Sequence, residues 1–385
     1  MTITPPAPIA VIGGGQLGRM FIQAAHRLGY EAGTLSPTSD GPATHVASWV
    51  VVGQSDQLSC LRDVASKAKA VTVEFENVSA AGLRWLARQG IIVRPGWRTL
   101  WISQNRLREK AFLARHGVPT APWRPVRTEA ELDRAVRDLG TPLILKTANS
   151  GYDGKGQVRV DRDSEARSAW DSLAQTACVA EGFVEFAAEI SVVTARGADG
   201  QAVAYPPALN RHRNHILDST LMPAPIGPIV SQEAQQLALS IAQSLDNVGV
   251  LTVEFFLTSQ GRLIVNELAP RPHNSGHLTI EGAVSDQFDQ QVRTLCGLPL
   301  GGTALVQPAA MVNLLGDLWS HGEPQWAQAL ASDPGVRLHL YGKQMAAKGR
   351  KMGHLTVLDP IAENALARAL AARSVLSPFQ GTGLT

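Results

Sequence analysis

Apolar residues in the first quarter of the chain fall into short runs: "IAVIG" from Ile9, "EAGTL" from Glu31, "WVVVG" from Trp49, "AVTVEF" from Ala70 and "IIVRPG" from Ile91. Between them the apolar positions recur with helical spacing, as in "RMFIQAAHRLG" from Arg19. This alternation predicts parallel strands joined by crossover helices, a doubly wound layer whose ligand side is the carboxyl edge of its sheet. A helix is then predicted from Ser103, a suitable N-cap, to Gly117, with Pro119 just beyond. Further on, "PLILKTA" and "GQVRV" read as strands flanking a glycine-rich loop, a helix spans Ser164 to Ala174, and "CVAEGFVEFAAEISVVTAR" reads as strand, bend, strand. The strand "QAVAYPPA", a helix over Gln232 to Val248, the strand pair "VLTVEFFL" and "LIVNELA", and a helix over Gln287 to Leu295 follow. After the linker "GLPLGG", a tail with strands "AAMVNLLG", "VRLHLYG" and "GHLTVL" closes with a helix from Ile361 to Arg373. The expected fold class is α/β, with a doubly wound N-terminal domain over residues 1–105, a central domain over 106–300 and a small β-rich C-terminal domain over 301–385.

Composition narrows the function more than the fold. Hydrophobic residues at 44% and charged residues at 18% are globular values, and no apolar run is long enough to span a bilayer. A net charge of +2 without a basic cluster argues against nucleic acid as a partner and points to small ligands. Cys60, Cys178 and Cys296 are far apart and lack metal-type spacing, and the start "MTITPPAPIAVIGGG" lacks a basic segment, so a cytoplasmic protein with free thiols is expected.

The turn Gly13-x-Gly15-x-x-Gly18 follows a strand and opens a helix, which is the setting of a dinucleotide-binding fingerprint. A nicotinamide site also needs a carboxylate at the tip of the second strand; here the tip is Leu35, Ser36 and Pro37, so that reading is disfavoured. In "LKTANSGYDGKGQ", Lys146 ends a strand and Gly151, Gly154 and Gly156 surround Lys155, a loop able to fold over phosphates while lysines neutralise them. If "VLTVEFFLTSQGRLIVNELA" is a hairpin centred on Gln260-Gly261, Glu254 stands opposite Glu267 and Asn266 points away with Phe255. Two carboxylates facing each other at about 5 Å repel. They therefore call for a cation such as Mg²⁺. Arg271 and His273 in "APRPHNSGH" suit an oxyanion and a proton transfer, and Lys343, Arg350 and Lys351 in the tail suit a sugar phosphate.

A lysine-anchored glycine loop followed about 100 residues later by two glutamates on adjacent strands resembles the ATP-grasp superfamily of carboxylate-amine ligases. Within it, "VIGGGQLGRM", "TVEFENV", "GYDGKGQ", "NELAPRPHNSGHLTIEGAVSDQFDQQ" and "GRKMGH" resemble the 5-(carboxyamino)imidazole ribonucleotide synthases of purine biosynthesis. The resemblance implies a central ATP-grasp domain, a homodimer, and the conversion of aminoimidazole ribonucleotide, bicarbonate and ATP to the N5-carboxylated ribonucleotide, ADP and phosphate. Carried over by motif, Arg106, Lys146, Gly151, Tyr152, Asp153, Gly154, Lys155, Gly156, Gln157, Glu181, Gly182, Phe183, Val184, Glu189, His212, Asn266 and Glu267 surround ATP. Glu254 and Glu267 hold magnesium; Asp153, Lys155, Arg271 and His273 serve catalysis; Gly15, Gln16, Glu76, Asn77, Tyr152, Lys343 and Arg350 face the ribonucleotide. Two departures stand out: "TANS" replaces the basic residues usual before the GYDG turn, and His215 replaces a glycine in "HRNHILDS". The rival readings are a formate-dependent transformylase or biotin carboxylase of the same superfamily, and a nucleotide-binding module without turnover.

Overall fold

The computed structural model describes residues 2–149, 151, 155–320 and 322–376. Strands β1 (Pro8–Ile12), β2 (Glu31–Ser36), β3 (Val50–Val52), β4 (Ala70–Val73) and β5 (Ile92–Val93) form a parallel sheet in the order 3-2-1-4-5. Helices α1 (Gln16–Arg27), α2 (Leu58–Lys67) and α3 (Ala80–Arg88) make the crossovers. This is the doubly wound layer expected from the alternating pattern.

Ser103 ends a separate helix, α4 (Trp97–Ser103), instead of capping the expected one, which starts at Arg106 as α5 (Arg106–Arg115). Asn105 lies between them in extended backbone, and its side chain accepts from Arg108 N, so a fresh N-cap restarts the chain in a new direction. A second sheet follows: β6 (Trp123–Val126), β7 (Leu143–Thr147), β8 (Gln157–Val160) and β9 (Cys178–Gly182) in the order 6-9-7-8, covered by α6 (Glu129–Leu139) and α7 (Ala166–Ser172). Strand β6 and α6 are additions to the sequence reading. Helix α7 is shorter than predicted, because Ala174 and Gln175 take left-handed backbone.

The third sheet is antiparallel and large. It contains β10 (Ala188–Arg196), β11 (Ala202–Ala204), β12 (Ala208–Arg213), β13 (Ile216–Met222), β14 (Gly249–Leu257), β15 (Leu263–Ala269), β16 (Ala309–Leu315), β17 (Arg337–Leu340) and β18 (Lys351–Leu358). Strand β16 pairs with β13, so the tail strands extend the central sheet rather than forming a sheet of their own. Helix α8 (Pro228–Ser244) covers the β10–β15 side and starts four residues earlier than predicted, its Pro228 at the first turn, where no N–H is needed. After the single turn α9 (Thr279–Gly282), helix α10 (Gln287–Cys296) leaves this sheet and packs Phe288, Val292 and Leu295 into the core shared with Ile9, Phe21 and Ile22 of the first layer. Helices α11 (Trp326–Ser332) and α12 (Ala362–Ser374) pack behind the tail strands. Cys60, Cys178 and Cys296 are buried free thiols.

Candidate active site

The three sheets leave a cavity of about 1160 Å³ between them. Its wall takes Gly15 and Gln16 after β1, Glu76 and Asn77 after β4, Lys146 from β7, Glu181 from β9, Glu189 from β10, His212 from β12, and Glu254, Asn266 and Glu267 from the β14–β15 hairpin. Arg106, Gly151, Lys155, Gln157, Gly182, Phe183, Val184, Arg271 and His273 complete the predicted set on the wall. Gly156 sits just behind it, pairing its carbonyl with Thr147 N at 2.8 Å. Lys343 and Arg350 are not on the wall: Lys343 Nζ donates to Lys351 O at 2.6 Å, Arg350 donates to Met345 O at 2.7 Å, and Lys351 is the basic tail residue that lines the cavity. Tyr152, Asp153 and Gly154 lie outside the described residues.

The glutamate pair meets as expected, but by a different route. Glu254 pairs with Glu267, while nearer the turn Phe255 pairs with Val265 and Leu257 with Leu263, one residue out of step. The turn closes over Thr258–Arg262 and is therefore centred on Gln260, not on Gln260-Gly261. Asn266 is the extra residue of a β-bulge that restores the register of the carboxylates. The bulge also corrects the expected direction of Asn266. Its Oδ1 lies 3.5 Å from Lys146 Nζ on the cavity wall, whereas Phe255 is buried in the core beneath α8.

Charge is arranged steeply across the floor. Glu181 is 4% exposed and takes Lys146 Nζ at 2.8 Å on one oxygen and Lys110 Nζ at 3.1 Å on the other. Burial opposes its ionisation, yet the two ammonium groups hold its carboxyl down to about 2. Glu181 was expected among the residues around ATP. Its side chain holds Lys146 and Lys110 on the cavity wall. Glu254 moves the other way: burial, then the facing Glu267, push its carboxyl up to about 8. Glu109 of α5 is pushed up to about 8 by the same two causes. Arg271 reaches Glu76 at 2.5 Å and thereby ties the central domain to the first layer. His273 is held well below its usual pKa by burial and by Arg271, so the imidazole is neutral, and its Nε2 lies 3.0 Å from Glu254. His212 Nδ1 stands 3.0 Å from Glu189. On the apolar side, Phe186 stacks on Phe256 at 4.6 Å, and both rings line the cavity as an aromatic wall.

The glycine turn of the first layer is already filled. Glu74 accepts from Gly15 N at 2.5 Å and from Gly18 N at 2.8 Å, so the chain's own carboxylate takes the place an external phosphate would occupy at this helix N-terminus. Gly13 has φ +129°, and a Cβ there would strike the Glu74 side chain. Sequence reasoning singled out Glu76 and Asn77 and missed Glu74, although it directly follows the same strand, β4. It also missed Lys110 and Glu109. These stand three and four residues before the buried Leu113, on the inner stripe of α5, and that spacing was the available signal.

Comparison with known proteins agrees along nearly the whole chain. The ribonucleotide synthetase preATP-grasp domain matches residues 7–104, the ATP-grasp domain 111–288, and the phosphoribosylaminoimidazole carboxylase C-terminal domain 309–368. The N5-carboxyaminoimidazole ribonucleotide synthase of Bacillus subtilis is 40% identical over 360 residues, 92% of each chain. That of Brucella melitensis is 40% identical over 361 residues, 93% of this chain and 98% of its own. Among solved structures, the Thermus thermophilus synthetase superposes with a TM-score of 0.88 at 39% identity, covering 97% of this chain and 99% of its own. The Aspergillus clavatus synthase in complex with ADP and 5-aminoimidazole ribonucleotide also superposes with a TM-score of 0.88, at 31% identity and the same coverage. The chain belongs to the N5-carboxyaminoimidazole ribonucleotide synthase family of ATP-grasp enzymes.

Proposed function

We propose that this protein carboxylates 5-aminoimidazole ribonucleotide on its amine, using bicarbonate and ATP and releasing ADP and phosphate. The observation that carries the reading is the Lys110–Glu181–Lys146 cluster in one cavity with the facing pair Glu254 and Glu267. ATP places its base against Phe186 and Phe256, its ribose at Glu189 and His212, and its phosphates over Lys110 and Lys146. The ribonucleotide lies toward Gln16, Glu76 and Asn77.

The hairpin fits Mg²⁺. Two opposed carboxylates, one pushed up to about 8 by burial and by the other, form a hard-oxygen site whose mutual repulsion a cation would relieve. Among the described residues no cluster of three or more such ligands occurs, which suits an ion that completes its shell with water and phosphate oxygens. Bound there by Glu254 and Glu267, magnesium would neutralise charge on the triphosphate. The remaining work falls to the chain. Lys110 and Lys146 draw electron density from the phosphate chain, and Arg271 orients bicarbonate for in-line attack on the γ-phosphorus. Carboxyphosphate forms and its carbon passes to the amine. His273 and Asp153 stand as the candidate partners for the amine proton, and Lys155 and the glycine loop exclude water.

Among the described residues no helix is long and apolar enough to cross a membrane. A cytoplasmic homodimer belongs to the same reading and is checked by sedimentation. The decisive experiment measures ADP release with three substrate sets: aminoimidazole ribonucleotide plus bicarbonate, glycinamide ribonucleotide plus formate, and biotin plus bicarbonate. Turnover is expected with the first set alone. Turnover with either other set, or ATP binding without turnover, overturns the proposal.

A further inference from the structure

Gln287, the first residue of α10, is fully buried, and its carboxamide makes three hydrogen bonds. Oε1 accepts from the backbone N–H of His273 at 2.8 Å, while Nε2 donates to the backbone carbonyl of His273 at 2.8 Å and to His277 Nδ1 at 3.0 Å. The side chain thus pairs with both backbone polar groups of one residue, as a neighbouring strand would. The amide cannot be flipped, because a flip would set N–H against N–H and oxygen against oxygen. The backbone N–H of Gln287 is itself anchored on Thr279 Oγ1 at 3.1 Å, and a Cβ on Gly276 would run into the carboxamide.

The His273 ring is held as well. Its Nδ1 caps Ser275 N at 3.4 Å and lies 2.9 Å from Ser275 Oγ, which in turn pairs with Ser191 Oγ at 2.7 Å. With Nδ1 accepting the backbone N–H, the ring proton belongs on Nε2, which faces Glu254 at 3.0 Å. Packing alone would be served by an apolar side chain at position 287. A buried amide with every bond directed at the active-site segment is spent on geometry instead.

We propose that Gln287 is a positioning residue for the carboxylation, acting through His273 by fixing its backbone and hence the aim of its imidazole. The inference rests on His273 taking part in the reaction. The test is a double-mutant cycle with Gln287→Met, Gln287→Glu and His273→Ala, alone and combined, reading kcat, the KM for ATP and the Tm. Each Gln287 variant is expected to lower kcat by about tenfold or more with the KM for ATP within about twofold, and to add less than about twofold loss once His273 is alanine. Should Gln287→Met fail to fold, Gln287→Glu, which keeps the acceptor for His273 N–H, carries the same cycle. Losses that multiply in the double variants, or an unchanged kcat in the singles, overturn the positioning role alone. A fully active His273→Ala enzyme overturns that role and the part given to His273 together.

Discussion

Glu74 and Glu181 are both buried glutamates at the carboxyl ends of strands, at 7% and 4% exposure, yet their environments drive them apart. Glu74 is met by the N–H groups of Gly15 and Gly18, and burial pushes its carboxyl above the usual range despite them. Glu181 is met by two ammonium groups, which outweigh burial and hold it near 2. The first turn is therefore closed, a helix start satisfied by the chain's own acid. The second centre is open, because Lys110 and Lys146 are fixed in place with donors left for a phosphate chain. Partial charges from amides suffice to fill a turn, whereas full charges are needed to organise a nucleotide site.

The largest effect expected from this contrast lies on the open side. Glu267→Gln removes one member of the facing pair and should cut turnover by several orders of magnitude while the Tm holds or rises, since metal-based charge neutralisation supplies several kcal/mol. Steady-state ADP release and a melting curve check it, and near-normal turnover would contradict the assignment of the pair. Next comes Glu181→Gln. It strands the buried Lys110 and the half-buried Lys146 and should cost about 3 kcal/mol or more in urea unfolding at pH 7. Glu74→Gln should cost only about 1 kcal/mol, because one amide N–H loses its acceptor while a buried charge disappears. Equal costs would break the comparison.

Acid should separate these two variants in opposite directions. The carboxyl of Glu181 titrates lower in the folded chain than its ordinary 4.5, so its contribution is complete above that value and is lost as pH falls toward about 2. The deficit of Glu181→Gln therefore narrows on acidification. Glu74 titrates above its ordinary value when folded, so ionisation opposes folding and acid relieves the wild-type chain. The deficit of Glu74→Gln widens over the same range. Unfolding curves between pH 7 and the acid limit of folding supply the check.

How much of this was legible in the sequence follows the range of the interactions. The first layer announced itself through local periodicity, and β1, β2 and β4 fall where the apolar runs put them. The pairing of Glu254 with Glu267 was also legible, though two assumptions failed together: an odd turn and the Asn266 bulge cancel each other at the carboxylates. The partner of Glu181 was not legible, because Lys110 stands 71 residues before it on a different element. Nothing local distinguishes such a lysine from a solvated one except its place on the inner stripe of α5. Glu74 was hidden for the opposite reason. A glycine turn advertises an empty anion site, and only the folded chain reveals that the site is filled from within.

His215 marks the small end of the scale, where backbone conformation rather than charge sets the outcome. It occupies the tight turn between β12 and β13 with φ +64°, and Asn214 before it has φ +49°. Left-handed backbone costs an ordinary L-residue roughly 1–2 kcal/mol, but asparagine less because its short amide bonds locally. Glycine escapes that penalty while bringing a more flexible unfolded chain, worth roughly 0.5–1 kcal/mol in the other direction. His215→Gly should therefore stabilise the protein by about 0.5–1 kcal/mol, read as a small rise in Tm. The side chain is exposed at the cavity rim, where charge is screened, so kcat should stay within about twofold. A lower Tm would mean that the imidazole does more than tolerate the turn, and a large loss of turnover would extend the open, charge-organised region out to the β12–β13 loop.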